Sequence, residues 1–129
     1  MFMYAPNLWL VLAAAVLSLI VGWLWYSPAV LGRTWATLTG REMAWRRNLL
    51  LIAVATLVEA YVTAHLVYYV GAYGWWEGAK AGLWLWFGYL ATTLAVSTAT
   101  AGQRPKVWLI DAGFQLASLL IMGAIFATW

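Results

Sequence analysis

Four side chains in this sequence have the chemistry to act in an apolar setting: Glu59, His65, Asp111 and Gln115. Glu59 is the only charged residue in the run 49–70 and falls near its middle. A carboxyl placed there reads in one of two ways. It is a site that binds and releases a proton or cation, or it is a neutral acid that ties helices together through a hydrogen bond. At helical spacing Glu59 shares a face with Asn48, Ile52, Ala55, Thr56, Val62, Thr63 and Leu66, a set rich in small and polar groups that should turn inward. Asp111, Gln115, Ser118 and Met122 follow one another at i, i+4, i+7 and i+11 and form a second stripe. That stripe is expected to pack against the face of Glu59 or against a second copy of the chain. Asp111 also reads as an acid in the first turns of a helix, complementing the positive dipole end and pairing with Arg104 or Lys106. Gln115, a turn deeper, is the better partner for a buried acid on another helix. His65 stands six residues from Glu59 and is turned about 120° around the helix, so the two do not form a same-face pair. A structural hydrogen bond is its expected role, with a pH-sensing or relay role as the alternative. One histidine and no cysteine give no metal site. Trp86 lies on a stripe with Gly82, Tyr89 and Thr93 and serves either packing or the lining of a ligand site or pathway. No HExxH, GxSxG or glycine-rich phosphate loop is present. An enzyme is therefore not expected.

The elements that must position these groups follow from composition. Of 129 residues, 66% are hydrophobic and only 9% are charged, too few charges to cover a soluble surface, where about 25% is usual. This excludes an ordinary soluble domain, a disordered chain and a nucleic-acid binder. Four apolar stretches, near 8–27, 48–70, 78–99 and 107–128, each reach the roughly 20 residues that cross a bilayer as a helix. They lack the alternation of barrel strands, so the expected fold is all-α: an integral membrane four-helix bundle, with 1–129 as a single transmembrane domain. The first stretch lacks the basic start and small-residue cleavage site of a signal peptide and reads as a retained span. Arg33, Arg41, Arg46 and Arg47 lie between the first two stretches and Arg104 and Lys106 between the last two, against Lys80 on the other side. The positive-inside rule then places the basic loops in the cytoplasm and both termini outside. Trp9, Trp75, Trp76 and Trp129 are expected as anchors at the outer boundary, and Trp25, Trp35, Trp45 and Trp108 at the inner one. Thr39-Gly40-Arg41-Glu42 fits a capping box, which would start the second helix about two turns before its apolar part. Ala15, Ser18, Gly22 and Trp25 form a small-residue seam suited to close helix packing, and Pro28 should end the first helix.

The run Gly22-Trp23-Leu24-Trp25-Tyr26-Ser27-Pro28, with Leu31-Gly32 and Trp35 after it, is one of three segments that carry a family resemblance. The others are Leu109-Ile110-Asp111-Ala112-Gly113-Phe114-Gln115-Leu116 and Leu119-Leu120-Ile121-Met122-Gly123-Ala124-Ile125. In order and spacing the chain resembles a bacterial family of small four-helix membrane proteins, domain of unknown function 1761. The resemblance implies a multi-pass protein of the prokaryotic cytoplasmic membrane and supplies no activity. The reading of the residues adds a homo-oligomer, with a dimer favoured, because four helices enclose little volume. In it Glu59 binds and releases a proton or cation in a small transporter or channel-like protein, along a pathway between protomers lined by Glu59, Thr63, Trp86, Tyr89, Thr93, Gln115 and Ser118. The alternative is a non-catalytic scaffold whose aromatic interior holds a small hydrophobic ligand (a lipid, quinone or pigment) or a partner subunit. Membrane lipids are the expected surroundings in both cases, and no cofactor is assigned.

Overall fold

The computed structural model describes residues 5–42, 44 and 46–129, and every regular element among them is helical. Helix α1 spans Leu8–Trp25 and starts at Asn7, whose side chain accepts a hydrogen bond from the Trp9 backbone N–H at 3.0 Å. A short α2, Gly32–Thr39, precedes α3, Leu49–Tyr69. Then come α4, Trp75–Leu85, a π-helical segment, Trp86–Leu90, and α5, Ala91–Thr100. The last helix, α6, is Pro105–Thr128, with Pro105 in its first turn, where a missing N–H costs nothing.

Helices α1, α3 and α6 are each long and apolar enough to cross a membrane. Their bounds lie within two residues of the stretches read from the sequence. The stretch near 78–99 differs. It is built from α4, the π segment and α5, which follow one another with helical backbone throughout, from Trp75 to Thr100. A π turn holds one residue more than an α turn and so rotates everything after it by about 100° relative to an unbroken helix.

Helix α6 is the hub. Gly22 of α1 packs on Phe114, the Ser18 and Ser118 hydroxyls hydrogen-bond at 2.5 Å, and the Trp25 indole donates to the Ile110 carbonyl at 3.0 Å. On the other side Gly78 and Gly82 bring the α4 backbone against the backbone of Gly123 and Leu119, with no room for a methyl group at Gly78, Gly82 or Gly123. This is the close approach that small residues permit between helices without a hydrophobic driving force. Further along, Trp86 donates to the Ala112 carbonyl and Trp108 to the Ala91 carbonyl, both at 2.8 Å. In both series residue numbers rise along one helix as they fall along α6, so α1 and the α4–α5 run are antiparallel to it. The core is small-residue-rich: Ala14, Ala15, Ala60 and Ala64 pack with Val11, Val67, Leu119, Met122 and Phe126.

Three expectations need correction. Thr39 does not cap the second long helix. It is the last residue of α2, its hydroxyl donates to the Trp35 carbonyl, and Gly40 stops the helix at a φ of 69°. Trp25 and Trp108 do not act only as boundary anchors, since their N–H groups are spent on carbonyls of neighbouring helices. Trp35 is likewise turned inward, as described below. Trp45, also read as an anchor, lies outside the described residues.

Candidate functional site

A cavity of about 410 Å³ lies in the half of the structure nearest the basic loops. The second half of α1 contributes Leu19, Gly22, Trp23 and Tyr26; α2 contributes Trp35; the first half of α3 contributes Ile52, Ala55, Thr56 and Glu59; α5 contributes Leu94; and the first half of α6 contributes Asp111, Phe114 and Gln115. The volume falls in the range of about 300–1,000 Å³ usual for small-molecule sites. Among the described residues, none that lines it is basic.

The helical stripes explain the convergence. Ile52, Ala55, Thr56 and Glu59 recur at i, i+3, i+4 and i+7 along α3, and Asp111, Phe114 and Gln115 at i, i+3 and i+4 along α6, so each helix presents one continuous face to the cavity. Tyr26 follows directly on α1 and turns its ring between Phe114, with centroids 5.7 Å apart, and Trp35, with centroids 6.4 Å apart, both edge-on. Its hydroxyl donates to Asp111 Oδ1 at 2.6 Å, a short hydrogen bond. The Trp35 indole interacts with the same carboxyl, outside ordinary hydrogen-bond geometry. Asp111 therefore pairs with Tyr26, and not with Arg104 or Lys106; among the described residues the side-chain ion pair is Glu77 with Lys80 at 2.8 Å.

Three buried side-chain polar atoms among the described residues have no hydrogen-bond partner: Glu59 Oε1, Gln115 Oε1 and Trp35 Nε1. All three residues line this one cavity. Glu59 and Gln115, read from the sequence as partners, face the same space without bonding each other. Buried polar groups in folded proteins are satisfied in the large majority of cases, and two orphan acceptors and one orphan donor around one cavity mark it as the place where polar contacts are left open.

The remaining sequence candidates lie elsewhere. Thr63 is buried one turn beyond Glu59, its hydroxyl donating to the Glu59 carbonyl at 2.7 Å. Ser118 is buried and occupied by Ser18. Trp86 packs against α6 through its bond to Ala112, which favours the packing reading. Tyr89 is 71% exposed and Thr93 is also exposed, because the π segment swings them away from the face that carries Gly82 and Trp86. The single stripe expected for these four residues is thus broken. His65 sits on the opposite half of α3, its Nδ1 at 2.9 Å from the Tyr61 carbonyl and its ring against Tyr61 and Tyr69. Sequence reading missed Tyr26, Trp35 and Phe114 as site residues. The signal that could have found Phe114 is its i+3 spacing from Asp111 on the stripe already recognised.

Residues 9–127 match the family model described as a protein of unknown function, DUF1761. The chain belongs to that family. No curated protein and no solved structure matches it. In this DUF1761 chain two of the three segments that carry the family resemblance meet at the cavity: Gly22, Trp23, Tyr26 and Trp35 from one, and Asp111, Phe114 and Gln115 from another.

Proposed function

We propose that this DUF1761 protein is a small multi-pass membrane protein, transporter-like or channel-like, in which the cavity around Glu59, Asp111 and Gln115 binds and releases a proton or cation. The observation that carries this reading is the pair of unpartnered buried acceptors, Glu59 Oε1 and Gln115 Oε1, on one acidic cavity that no basic residue lines among the described residues. A structural acid buried for stability would be hydrogen-bonded, since leaving a buried polar group unpaired costs about 1–3 kcal/mol. The Glu59 carboxyl forms no hydrogen bond within the described residues and stands at the middle of α3, ten residues from either end. The α4–α5 run serves as a fourth crossing, which completes a four-helix bundle with both termini on the side away from the basic loops. The prokaryotic cytoplasmic membrane, with those loops inside, agrees with six Lys and Arg in two loops against one on the other side.

The test is proton flux in proteoliposomes loaded with a pH-sensitive dye, driven by a potassium diffusion potential. Flux that is lost in Glu59→Gln supports the reading, and flux indifferent to that change refutes it. A second reading, a non-catalytic protein that holds a small hydrophobic ligand, is favoured by the aromatic lining of Trp23, Tyr26, Trp35 and Phe114. Native mass spectrometry of gently extracted protein separates the two: a retained molecule of defined mass favours the holder. The same spectrum reads the stoichiometry, for which a homodimer is our expectation.

A further inference from the structure

We infer that the cavity takes an organic ammonium ion with an apolar body, its nitrogen held by the carboxyls and its hydrocarbon part lying against the aromatic rings. The inference rests on the reading of the cavity as a cation site and narrows it to a ligand class. Three features of the lining carry it. First, charge: two carboxyls, Glu59 and Asp111, line the cavity, and among the described residues no basic side chain lines it to balance a carboxylate. An unpaired buried carboxylate is strongly unfavourable, so a cation bound in the cavity would stabilise the ionised form of either acid. Second, the number of oxygens: Ca²⁺ takes about 6–8 oxygen ligands and Mg²⁺ about six in octahedral array, whereas this lining offers the side-chain oxygens of Glu59, Asp111, Gln115, Tyr26 and Thr56 amid carbon. No cluster of three or more His, Asp or Glu fit for a metal occurs among the described residues. Third, shape and surface: about 410 Å³ is far more room than a bare ion fills, and the walls are indole, phenol and phenyl rings with aliphatic side chains. Aromatic faces attract cations through their quadrupole, more strongly when the site is desolvated. The two orphan acceptors suit the N–H donors of an ammonium group.

The experiment is isothermal titration calorimetry of the full chain, purified in a mild detergent, with 2-phenylethylammonium chloride. Its neutral counterpart 2-phenylethanol, sodium chloride and magnesium chloride are titrated in parallel against the same empty-micelle blank. The expected result is one saturable site per chain for the amine, with the alcohol and both inorganic ions at least tenfold weaker. Glu59→Gln and Asp111→Asn should each weaken the amine at least tenfold in protein whose circular dichroism and melting match the parent. The comparison of amine with alcohol on the parent protein needs no variant and holds even where a substitution prevents folding. Equal binding of amine and alcohol, absence of saturable amine binding, or full binding retained in both folded variants overturns the inference. Proton flux that depends on Glu59 without amine binding overturns this ligand class while the broader cation reading stands. Saturable amine binding with flux indifferent to Glu59→Gln supports the ligand class and removes the transport reading alone.

Discussion

Substituting Gly123 by alanine tests whether α4 and α6 are held together by backbone contact. A methyl group at Gly123 would fall inside the carbonyl of Gly78, and one at Gly78 inside the carbonyl of Gly123. Real Cβ atoms essentially never approach another atom more closely than 3.0 Å, and neither obstacle is a side chain that can swing aside. The two helices must then part by on the order of 1 Å, which forfeits a quarter to a half of the dispersion energy at each contact along the seam. With ~0.1–0.2 kcal/mol per atom pair and roughly 50 pairs, the number that one well-packed side chain makes, the loss is about 3 kcal/mol. The assay is reversible unfolding in mixed micelles of rising SDS fraction, followed by circular dichroism. Gly88 supplies the control, because an added Cβ there meets nothing within 4 Å. Gly123→Ala and Gly78→Ala should each lose about 3 kcal/mol, while Gly88→Ala should be as stable as the parent or up to about 1 kcal/mol more stable, because alanine is the better helix former where nothing obstructs its methyl group. A Gly123→Ala protein as stable as the parent, or a Gly88→Ala protein equally weakened, would refute the close-approach reasoning.

Other expectations follow from single contacts. Ser118→Ala strands the buried Ser18 hydroxyl and should cost about 1–3 kcal/mol, whereas the double change Ser18→Ala with Ser118→Ala should cost less than the sum of the two singles; the same SDS titration measures both. Trp86→Phe and Trp108→Phe each remove one indole bond to a neighbouring carbonyl and should cost about 0.6–2 kcal/mol. Tyr26→Phe keeps the ring packing but removes the donor to Asp111, and calorimetry should show amine affinity changed severalfold; unchanged affinity would detach Asp111 from the site. Thr93→Ala and Tyr89→Phe should leave proton flux untouched, while Gln115→Leu should lower it, since only Gln115 faces the cavity.

How much of this was legible in the sequence depended on which physical signal each feature leaves. The bounds of α1, α3 and α6 were legible because apolarity around the whole circumference has one solution in a bilayer, a helix about as long as the apolar run. Glu59, Asp111 and Gln115 were legible for the opposite reason, as polar groups where polarity is costly, and the structure brings all three to one cavity. The outward turn of Tyr89 and Thr93 was not legible because a π turn is a slip of one residue in register, and WFGYL has no proline or other breaker to announce it. Thr39 and Glu42 matched a capping pattern of four residues, too short to outweigh Gly40, which ended a helix that composition alone did not reveal. The role of Trp35 was hidden because the preference of tryptophan for the membrane boundary is statistical, whereas its contact with Tyr26 depends on how α2 folds back over the cavity.

The position of α6 also bears on how the protein is made. It lies after every other element in the chain, yet it supplies the carbonyls that Trp25 and Trp86 bond, the hydroxyl that Ser18 meets and the backbone on which Gly78 and Gly82 rest. During synthesis the earlier helices therefore wait in the bilayer as neighbours without a centre, with indole donors unspent and glycine surfaces bare. Domains whose stabilising contacts are distant in sequence fold late and are vulnerable until those contacts form. For this chain the vulnerable interval lasts until α6 has left the ribosome and inserted, and a ribosome stalled just before Pro105 would leave a product in which α1 and α3 can still pair while the α4–α5 run lacks its main partner.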